Sequence, residues 1–139
     1  MGFLTGKTAI ITGAGRAVLK DGSCGSIATA YAKEGANLVI TGRNVKKLEA
    51  AKQELESLYG IKVLTVQADV CAGGNNEATV ANVVKQAVDT FGGIQVLINN
   101  AQASASGVPL TEHTTEQFDL AIYSGLYAAF YYMKACYPY

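Results

Sequence analysis

The feature that most constrains this fold is a regular alternation of short apolar runs and helix-like stretches. Four runs rich in Val, Ile and Leu predict strands at residues 8–12, 37–41, 62–68 and 95–99. Strands that are apolar almost throughout are typical of a parallel sheet with helices on both faces. Because strand–helix–strand crossovers are right-handed, the alternation predicts an α/β fold with a doubly wound parallel sheet, its four strands in the order 3-2-1-4.

The segments between the runs carry helix start and stop signals. Residues 27–34 are rich in alanine and end at Gly35, which suits the left-handed end of a helix. Asn44 is predicted to cap a second helix that extends to about Tyr59 and ends at Gly60. The apolar face of this second helix is predicted to contain Leu48, Leu55 and Leu58.

Two further helices are predicted in the second half of the chain. Asn76 is predicted to cap a helix over residues 77–91, which a Gly-Gly pair closes. Thr114 and Gln117 form the pattern of a capping box, in which each side chain bonds the backbone N–H of the other residue. This box opens a long helix that is predicted to extend to about Tyr137.

Composition limits the class of protein and of partner. The chain has 139 residues, half of them hydrophobic, and its 11 basic and 11 acidic side chains balance. That length suits one domain with a buried core, and zero net charge argues against nucleic acid or an anionic membrane as the main partner. No apolar run approaches the roughly 20 residues of a membrane span, and the start lacks a secretory signal pattern. Three separated cysteines and a single histidine predict reduced cytoplasmic thiols and no metal site.

Small and polar residues follow each of the four predicted strands. The segments are Thr-Gly-Ala-Gly-Arg, Thr-Gly-Arg-Asn, Ala-Asp-Val and Asn-Asn-Ala-Gln. In a doubly wound sheet of the Rossmann type, a ligand binds beyond the carboxyl ends of the strands, where the strand order reverses. Glycine after the first strand lets backbone N–H groups approach a pyrophosphate, and the following helix adds a partial positive charge. The four segments together predict a dinucleotide site between the first and fourth strands.

These segments resemble the short-chain dehydrogenase/reductase family. Residues 12–16 look like the start of its glycine-rich turn, residues 68–70 match its adenine-contact segment, and residues 99–102 are similar to its Asn-Asn-Ala-Gly. Residues 115–119 are typical of the start of its fourth helix. The resemblance extends over essentially the whole chain but only over the family's N-terminal half, so it implies a single truncated dinucleotide-binding domain, residues 1–139. The activity it implies for the parent is hydride transfer between NAD(P) and a small-molecule carbonyl or alcohol.

The resemblance also implies which residues hold the cofactor. An acidic residue after the second strand would bind the ribose hydroxyls of NAD, but Gly42 and Arg43 stand there. Arg43, together with Arg16, is suited to pair with the 2′-phosphate of NADP, so NADP is favoured over NAD. The implied pyrophosphate contacts are Gly13, Gly15, Gly25, Ser26 and Ile27, the implied adenine contacts are Asp69 and Val70, and the residues implied beside the nicotinamide ribose are Asn99, Asn100 and Ala101.

The chain departs from the family pattern in two places. Ala17 stands at the middle glycine of the turn and Cys24 at the last one, while the Ser-Ile-Ala at residues 26–28 is similar to the turn of enoyl-thioester reductases. We interpret this segment as carrying an insertion, with residues missing around Ile27. Gly125 occupies the position of the family's catalytic Asn, and the chain has no Tyr-x-x-x-Lys, so it holds no complete catalytic set. The alternative function is a catalytically inactive, truncated or decayed domain that acts only by binding or assembly.

Tyrosines crowd the last predicted helix. An acid role for one of them is less favoured than packing against a second copy of the chain, because tyrosine buries a large area and keeps a polar tip. The resemblance implies a homo-oligomer that forms through this helix, since in the family this helix usually packs against its copy in a partner subunit. The six tyrosines are Tyr123, Tyr127, Tyr131, Tyr132, Tyr137 and Tyr139.

Overall fold

The four predicted strands form one parallel sheet. The structure, a computed structural model, describes residues 2–14, 27–71 and 76–139. The strands are β1 Thr8–Ile11, β2 Asn37–Gly42, β3 Val63–Gln67 and β4 Val96–Ile98. All pairings are parallel, and the order across the sheet is β3-β2-β1-β4. Both the Rossmann-type fold class and the predicted strand order are confirmed.

Helices connect the strands and cover the sheet. They are α1 Ile27–Lys33, α2 Val45–Tyr59, α3 Asn76–Phe91, α4 Thr115–Ile122 and α5 Ala128–Cys136. A 3₁₀ turn at Leu110–Glu112 precedes α4. Within the described ranges, no helix is both long and apolar enough to cross a membrane.

Two hydrophobic cores lie on opposite faces of the sheet. On β1, Ala9 and Ile11 face the core that includes residues of α1 and α2, whereas Ile10 faces the core that includes residues of α3 and α5. All three side chains are almost completely buried. Burial on both faces explains why the strands are apolar at successive positions instead of alternating with polar residues.

The predicted helix ends are formed by the expected residues. The Asn44 side chain accepts a hydrogen bond from the Lys47 backbone N–H at 3.1 Å, and Gly60 ends α2 in the left-handed conformation. Thr114 and Gln117 make both hydrogen bonds of the predicted capping box, at 3.0 and 3.2 Å. These local signals were therefore readable from the sequence.

Two local predictions were wrong. Asn76 does not cap α3 from outside, because the helix already begins at this residue and its side-chain amide donates to the Val70 carbonyl at 2.5 Å. Leu58 is not part of the buried face of α2, since its side chain is 59% exposed. In that last turn Tyr59, instead of Leu58, packs against the core.

The long last helix has the predicted extent but is not uniform. A five-residue π-helical segment, Tyr123–Tyr127, joins α4 to α5. There the Ala128 backbone N–H donates to the Tyr123 carbonyl, five residues back. Such π segments are rare and are frequently found at functional sites.

Tyr132 is expected to make stability fall at high pH. Burial of its side chain in α5 raises the pKa of Tyr132 to about 12, although the nearby Thr41 hydroxyl offsets part of this rise. The unfolded chain loses the tyrosine proton near the ordinary value of 10, so this contribution is complete below pH 10 and is lost as the pH rises toward 12. From pH 10 to pH 12, the parent should lose about 2 kcal/mol more unfolding free energy than Tyr132→Phe does. Urea unfolding at neutral and alkaline pH measures the difference, and Tyr139→Phe, at an exposed tyrosine, is the matched control.

Candidate functional site

A cavity of about 470 Å³ opens at the carboxyl ends of the four strands. Residues that directly follow β1, β2, β3 and β4 all line it. This convergence follows from the parallel topology, because all carboxyl ends lie on one edge of the sheet. Six of the predicted cofactor residues line the cavity, namely Gly13, Arg43, Asp69, Val70, Asn100 and Ala101.

Of the other six predicted site residues, two are described by the structure, and neither lines this cavity. Asn99 lines a separate cavity of about 20 Å³ that also borders Gly125 and Tyr132. Ile27 is the first residue of α1 and is partly exposed. The remaining four predicted residues, Gly15, Arg16, Gly25 and Ser26, lie outside the described residues.

Gly13 allows the ends of β1 and β4 to approach each other closely. Its backbone has a positive φ of 67°, and a Cβ atom built on it would lie 2.9 Å from the Cα of Ala101. No other residue fits both the conformation and the space. The glycine after the first strand is thus required by the contact with the segment after the fourth strand.

Thr12 joins the same two strand ends through its buried hydroxyl. Its Oγ1 accepts hydrogen bonds from the backbone N–H groups of Asn100 at 3.0 Å and Ala101 at 2.9 Å. The Asn100 side-chain amide donates to the Thr12 carbonyl at 3.1 Å. Thr12 was not among the predicted site residues, although a threonine at a buried strand end before glycine is a signal that could have identified it.

Removal of the Thr12 hydroxyl should destabilise the fold. Thr12→Val keeps the shape of the 2% exposed side chain but leaves the Ala101 N–H without its acceptor, whereas the Asn100 N–H keeps its second acceptor, the Ile98 carbonyl at 3.1 Å; the change should cost about 2 kcal/mol of unfolding free energy. Thr12→Ser keeps the hydroxyl and should cost about 1 kcal/mol for the lost methyl group. Urea unfolding, with hydrogen exchange at Asn100 and Ala101, measures both variants. Equal losses in the two variants would contradict the role of the hydroxyl.

Positive charge lies at the β2 end of the cavity. Arg43 and Lys47 both line the cavity there, and the Gln67 side chain donates to the Arg43 carbonyl at 3.1 Å, which fixes the backbone of the arginine. At the β3 end the Asp69 carboxylate accepts from the Cys71 backbone N–H at 2.9 Å. As far as the described residues line it, the cavity therefore has a cationic end beside β2 and one carboxylate beside β3.

Cys71 is not an activated thiol. Partial burial raises the pKa of Cys71, and the Asp69 carboxylate raises it further, while Arg43 acts in the opposite direction. A reactive cysteine needs a lowered pKa, since the thiolate is the nucleophile. Among the described residues there is also no group of three or more His, Cys, Asp or Glu side chains that could hold a metal ion.

Ser124 attaches the segment after β4 to the π-helical segment. Its buried hydroxyl accepts from the Ala103 backbone N–H at 2.9 Å. It donates to the Leu120 carbonyl at 2.8 Å, and the Ala103 carbonyl lies 3.0 Å away. Nothing in the local sequence pattern marks this serine, because the contact joins residues 21 positions apart.

A scan against protein-family models identifies the chain. The model described as short chain dehydrogenase matches residues 7–139. The chain belongs to the short-chain dehydrogenase family. The structural likeness agrees with this membership, and the family is one of oxidoreductases.

Individual proteins are similar to this chain over all or nearly all of its length. A 12alpha-hydroxysteroid dehydrogenase from a Clostridium species is 60% identical over 140 residues, which cover 100% of this chain and 52% of the relative. The structure of L-sorbose reductase from Gluconobacter frateurii, complexed with NADPH and L-sorbose, is 31% identical with a TM-score of 0.84 and is matched over 99% of this chain and 48% of that one. A blue fluorescent protein from a metagenomic library, in complex with NADPH, is 30% identical with a TM-score of 0.81, covering 97% of this chain and 51% of that one. The chain thus spans about half the length of each.

The comparison with the Clostridium relative bears on the altered glycine turn. The alignment has 140 positions and includes the whole 139-residue chain, so the chain lacks at most one residue relative to this dehydrogenase. A loss of several residues around Ile27 is therefore not a difference between the two proteins. Within the described residues, α1 is a regular helix from Ile27 onward.

Proposed function

We propose that this chain is the cofactor-binding half of an NADP-preferring oxidoreductase that interconverts a carbonyl compound and an alcohol, working in the cytoplasm as a homo-oligomer. The observation that carries the proposal is the cavity at the four strand ends, with Arg43 where an NAD-binding site would have an acidic residue. Gly13 supports the proposal in another way, because it lets the ends of β1 and β4 approach each other closely at the edge where the cavity opens.

Similar proteins support the proposed cofactor and indicate which substrate should be tested first. The L-sorbose reductase and the blue fluorescent protein both have NADPH in their structures. The 60% identical relative is a 12alpha-hydroxysteroid dehydrogenase. A hydroxysteroid is therefore the first alcohol to test with this protein.

The described residues divide between the two halves of the cofactor. We assign Arg43 and Lys47 to the 2′-phosphate, because guanidinium and ammonium groups pair with phosphate oxygens. The Ala14 N–H is already bonded to the Thr41 carbonyl at 2.9 Å, so the pyrophosphate donors of the turn are assigned to residues after Ala14. We assign Asp69 and Val70 to the adenine, and Asn99, Asn100 and Ala101 to the side of the nicotinamide ribose. When bound, NADP(H) supplies the hydride chemistry.

Cofactor titration tests the proposal. The full-length gene product is titrated with NADPH and with NADH, whose nicotinamide fluorescence reports binding, and is then assayed for reduction of NADP with a 12α-hydroxysteroid. We expect tighter binding of NADPH and turnover that depends on the steroid. Binding of neither cofactor would contradict the proposal, and tighter binding of NADH would remove the part of it that rests on Arg43. Binding without turnover on any hydroxysteroid or simple ketone would favour the inactive alternative.

An exposed apolar stripe on the last helix supports the proposed oligomer. It consists of Leu126, Phe130, Met133 and Tyr137, which follow the helical spacing and are all more than half exposed. Stacking of Tyr123 on Tyr127, with ring centroids 5.1 Å apart, adds a rigid aromatic surface beside it.

A charge in the apolar stripe should dissociate the oligomer. Phe130→Glu places a carboxylate in the contact that we propose, so light scattering on the full-length protein should show a smaller assembly than the parent forms. Leu110→Glu, at an exposed leucine outside the stripe, is the control and should leave the assembly unchanged. An unchanged assembly in Phe130→Glu would place the contact elsewhere.

A further inference from the structure

Gln102 brings a carboxamide to the β4 end of the large cavity. It directly follows Ala101, is exposed, and lines the cavity together with Asn100 and Ala103. Glycine stands at the matching position of the family pattern, so this chain carries a side chain where the pattern has none. A carboxamide both donates and accepts hydrogen bonds, which suits contact with a polar ligand.

Gly125 leaves the space beside that carboxamide open. A Cβ atom built on Gly125 would lie 3.8 Å from both Cγ and Nε2 of Gln102. This is ordinary contact for a methyl group, but any longer side chain at position 125 would extend into the place of the carboxamide. Gln102 and Gly125 are 23 residues apart in sequence, and Gly125 lies beside the Gln102 side chain while lining the small cavity next to the large one.

The backbone beside Gln102 is held in position. The buried Ser124 hydroxyl bonds the N–H of Ala103, the next residue after Gln102. On the other side, the N–H of Ala101 is bonded to the Thr12 hydroxyl. Because both neighbours are fixed, little backbone ordering is left to oppose binding by the Gln102 side chain.

We propose that Gln102 hydrogen-bonds the nicotinamide half of the bound dinucleotide, and that Gly125 keeps the place of this side chain open. The inference rests on the proposed function. In a doubly wound sheet the two halves of a dinucleotide lie on the two sides of the point where the strand order reverses. Arg43 is on the β2 side and Gln102 on the β4 side, so the 2′-phosphate and the nicotinamide half are read by different residues.

Binding of a cofactor fragment separates the two ends of the cavity. Adenosine 2′,5′-bisphosphate contains the adenine end of NADP but no nicotinamide half. In the full-length gene product, Gln102→Ala should weaken NADPH binding by about three- to tenfold, the range of one hydrogen bond, and leave binding of the fragment unchanged. Gln53→Ala, at an exposed glutamine of α2 outside the cavity, should change neither. Calorimetric titration measures both ligands without any need for turnover.

Variants of Gly125 test the second part of the inference. Gly125→Leu should displace the carboxamide and weaken NADPH binding as much as Gln102→Ala does, again without an effect on the fragment. The double variant Gln102→Ala/Gly125→Leu should be no weaker than either single variant, because both remove the same contact. Gly125→Ala adds only the tolerated methyl group and should bind like the parent.

The outcomes distinguish this inference from the proposed function. If the parent protein binds neither NADPH nor the fragment, the proposed function fails, and the inference fails with it. If the parent binds both and Gln102→Ala weakens both equally or neither, the proposed function stands and the role of Gln102 is overturned. Additive losses in the double variant would overturn the role of Gly125.

Discussion

Gly13→Ala should lower the unfolding free energy by about 3 kcal/mol and weaken NADPH binding by more than about tenfold. Two effects combine at this position. The positive φ of 67° costs about 1 kcal/mol for any residue with a Cβ, and the new methyl group would lie only 2.9 Å from the Cα of Ala101. Relief of that overlap requires the β1 and β4 ends to separate, which changes the cavity between them.

Gly60→Ala is a matched control for this substitution. Gly60 has nearly the same φ, 66°, but no atom lies within 4 Å of the position that its Cβ would occupy. The backbone strain in the folded state and the entropy lost by the unfolded chain are therefore the same in the two variants. The difference between their unfolding free energies isolates the contact with Ala101. Urea unfolding should give a loss of about 1 kcal/mol for Gly60→Ala, with unchanged cofactor binding. If both variants lost the same unfolding free energy, the contact between the new methyl group at position 13 and Ala101 would make no contribution to the loss.

The parts of the fold that were predictable are those encoded locally. Strand positions follow from runs such as residues 37–41, in which the four side chains from Leu38 to Thr41 are all buried. The capping residues Asn44 and Thr114 act on backbone groups only three residues away, so their sequence pattern suffices. The edge at which the site forms also follows, because parallel strands bring the segments after them together.

Contacts between distant residues could not be read from the sequence. The Ser124 bond to Ala103 and the approach of Gln102 to Gly125 join segments that the pattern treats as separate. The π-helical segment was not predicted either, since a Ser-Gly pair inside a helix does not by itself distinguish a π-helical segment from an ordinary helix. Asn76 is the opposite case, in which a local pattern was misleading. The pattern predicted a helix cap, but the side chain makes a tertiary hydrogen bond to Val70.

Arg43→Ala is expected to remove the preference for NADPH. If its guanidinium pairs with the 2′-phosphate, loss of this charge-assisted contact should weaken NADPH binding by about 10- to 100-fold and leave NADH binding nearly unchanged. Arg43→Lys keeps the charge but loses the two-pronged geometry, so its effect should be intermediate. Arg43→Glu should favour NADH, because the carboxylate repels the phosphate and can accept from the ribose hydroxyls that NAD carries.

Two lysine variants test whether the effect on cofactor preference is specific to Arg43. Lys46→Ala removes a neighbouring exposed charge that does not line the cavity, and it should leave the ratio of the two affinities unchanged. Lys47→Ala removes a cation that does line the cavity and should lower that ratio by less than Arg43→Ala, because an ammonium group lacks the planar fork of a guanidinium. If Arg43→Ala weakened the binding of NADPH and of NADH equally, the arginine would contact a part of the molecule that the two cofactors share. Since the 2′-phosphate is the only chemical difference between them, the ratio of affinities, and not either affinity alone, decides the question.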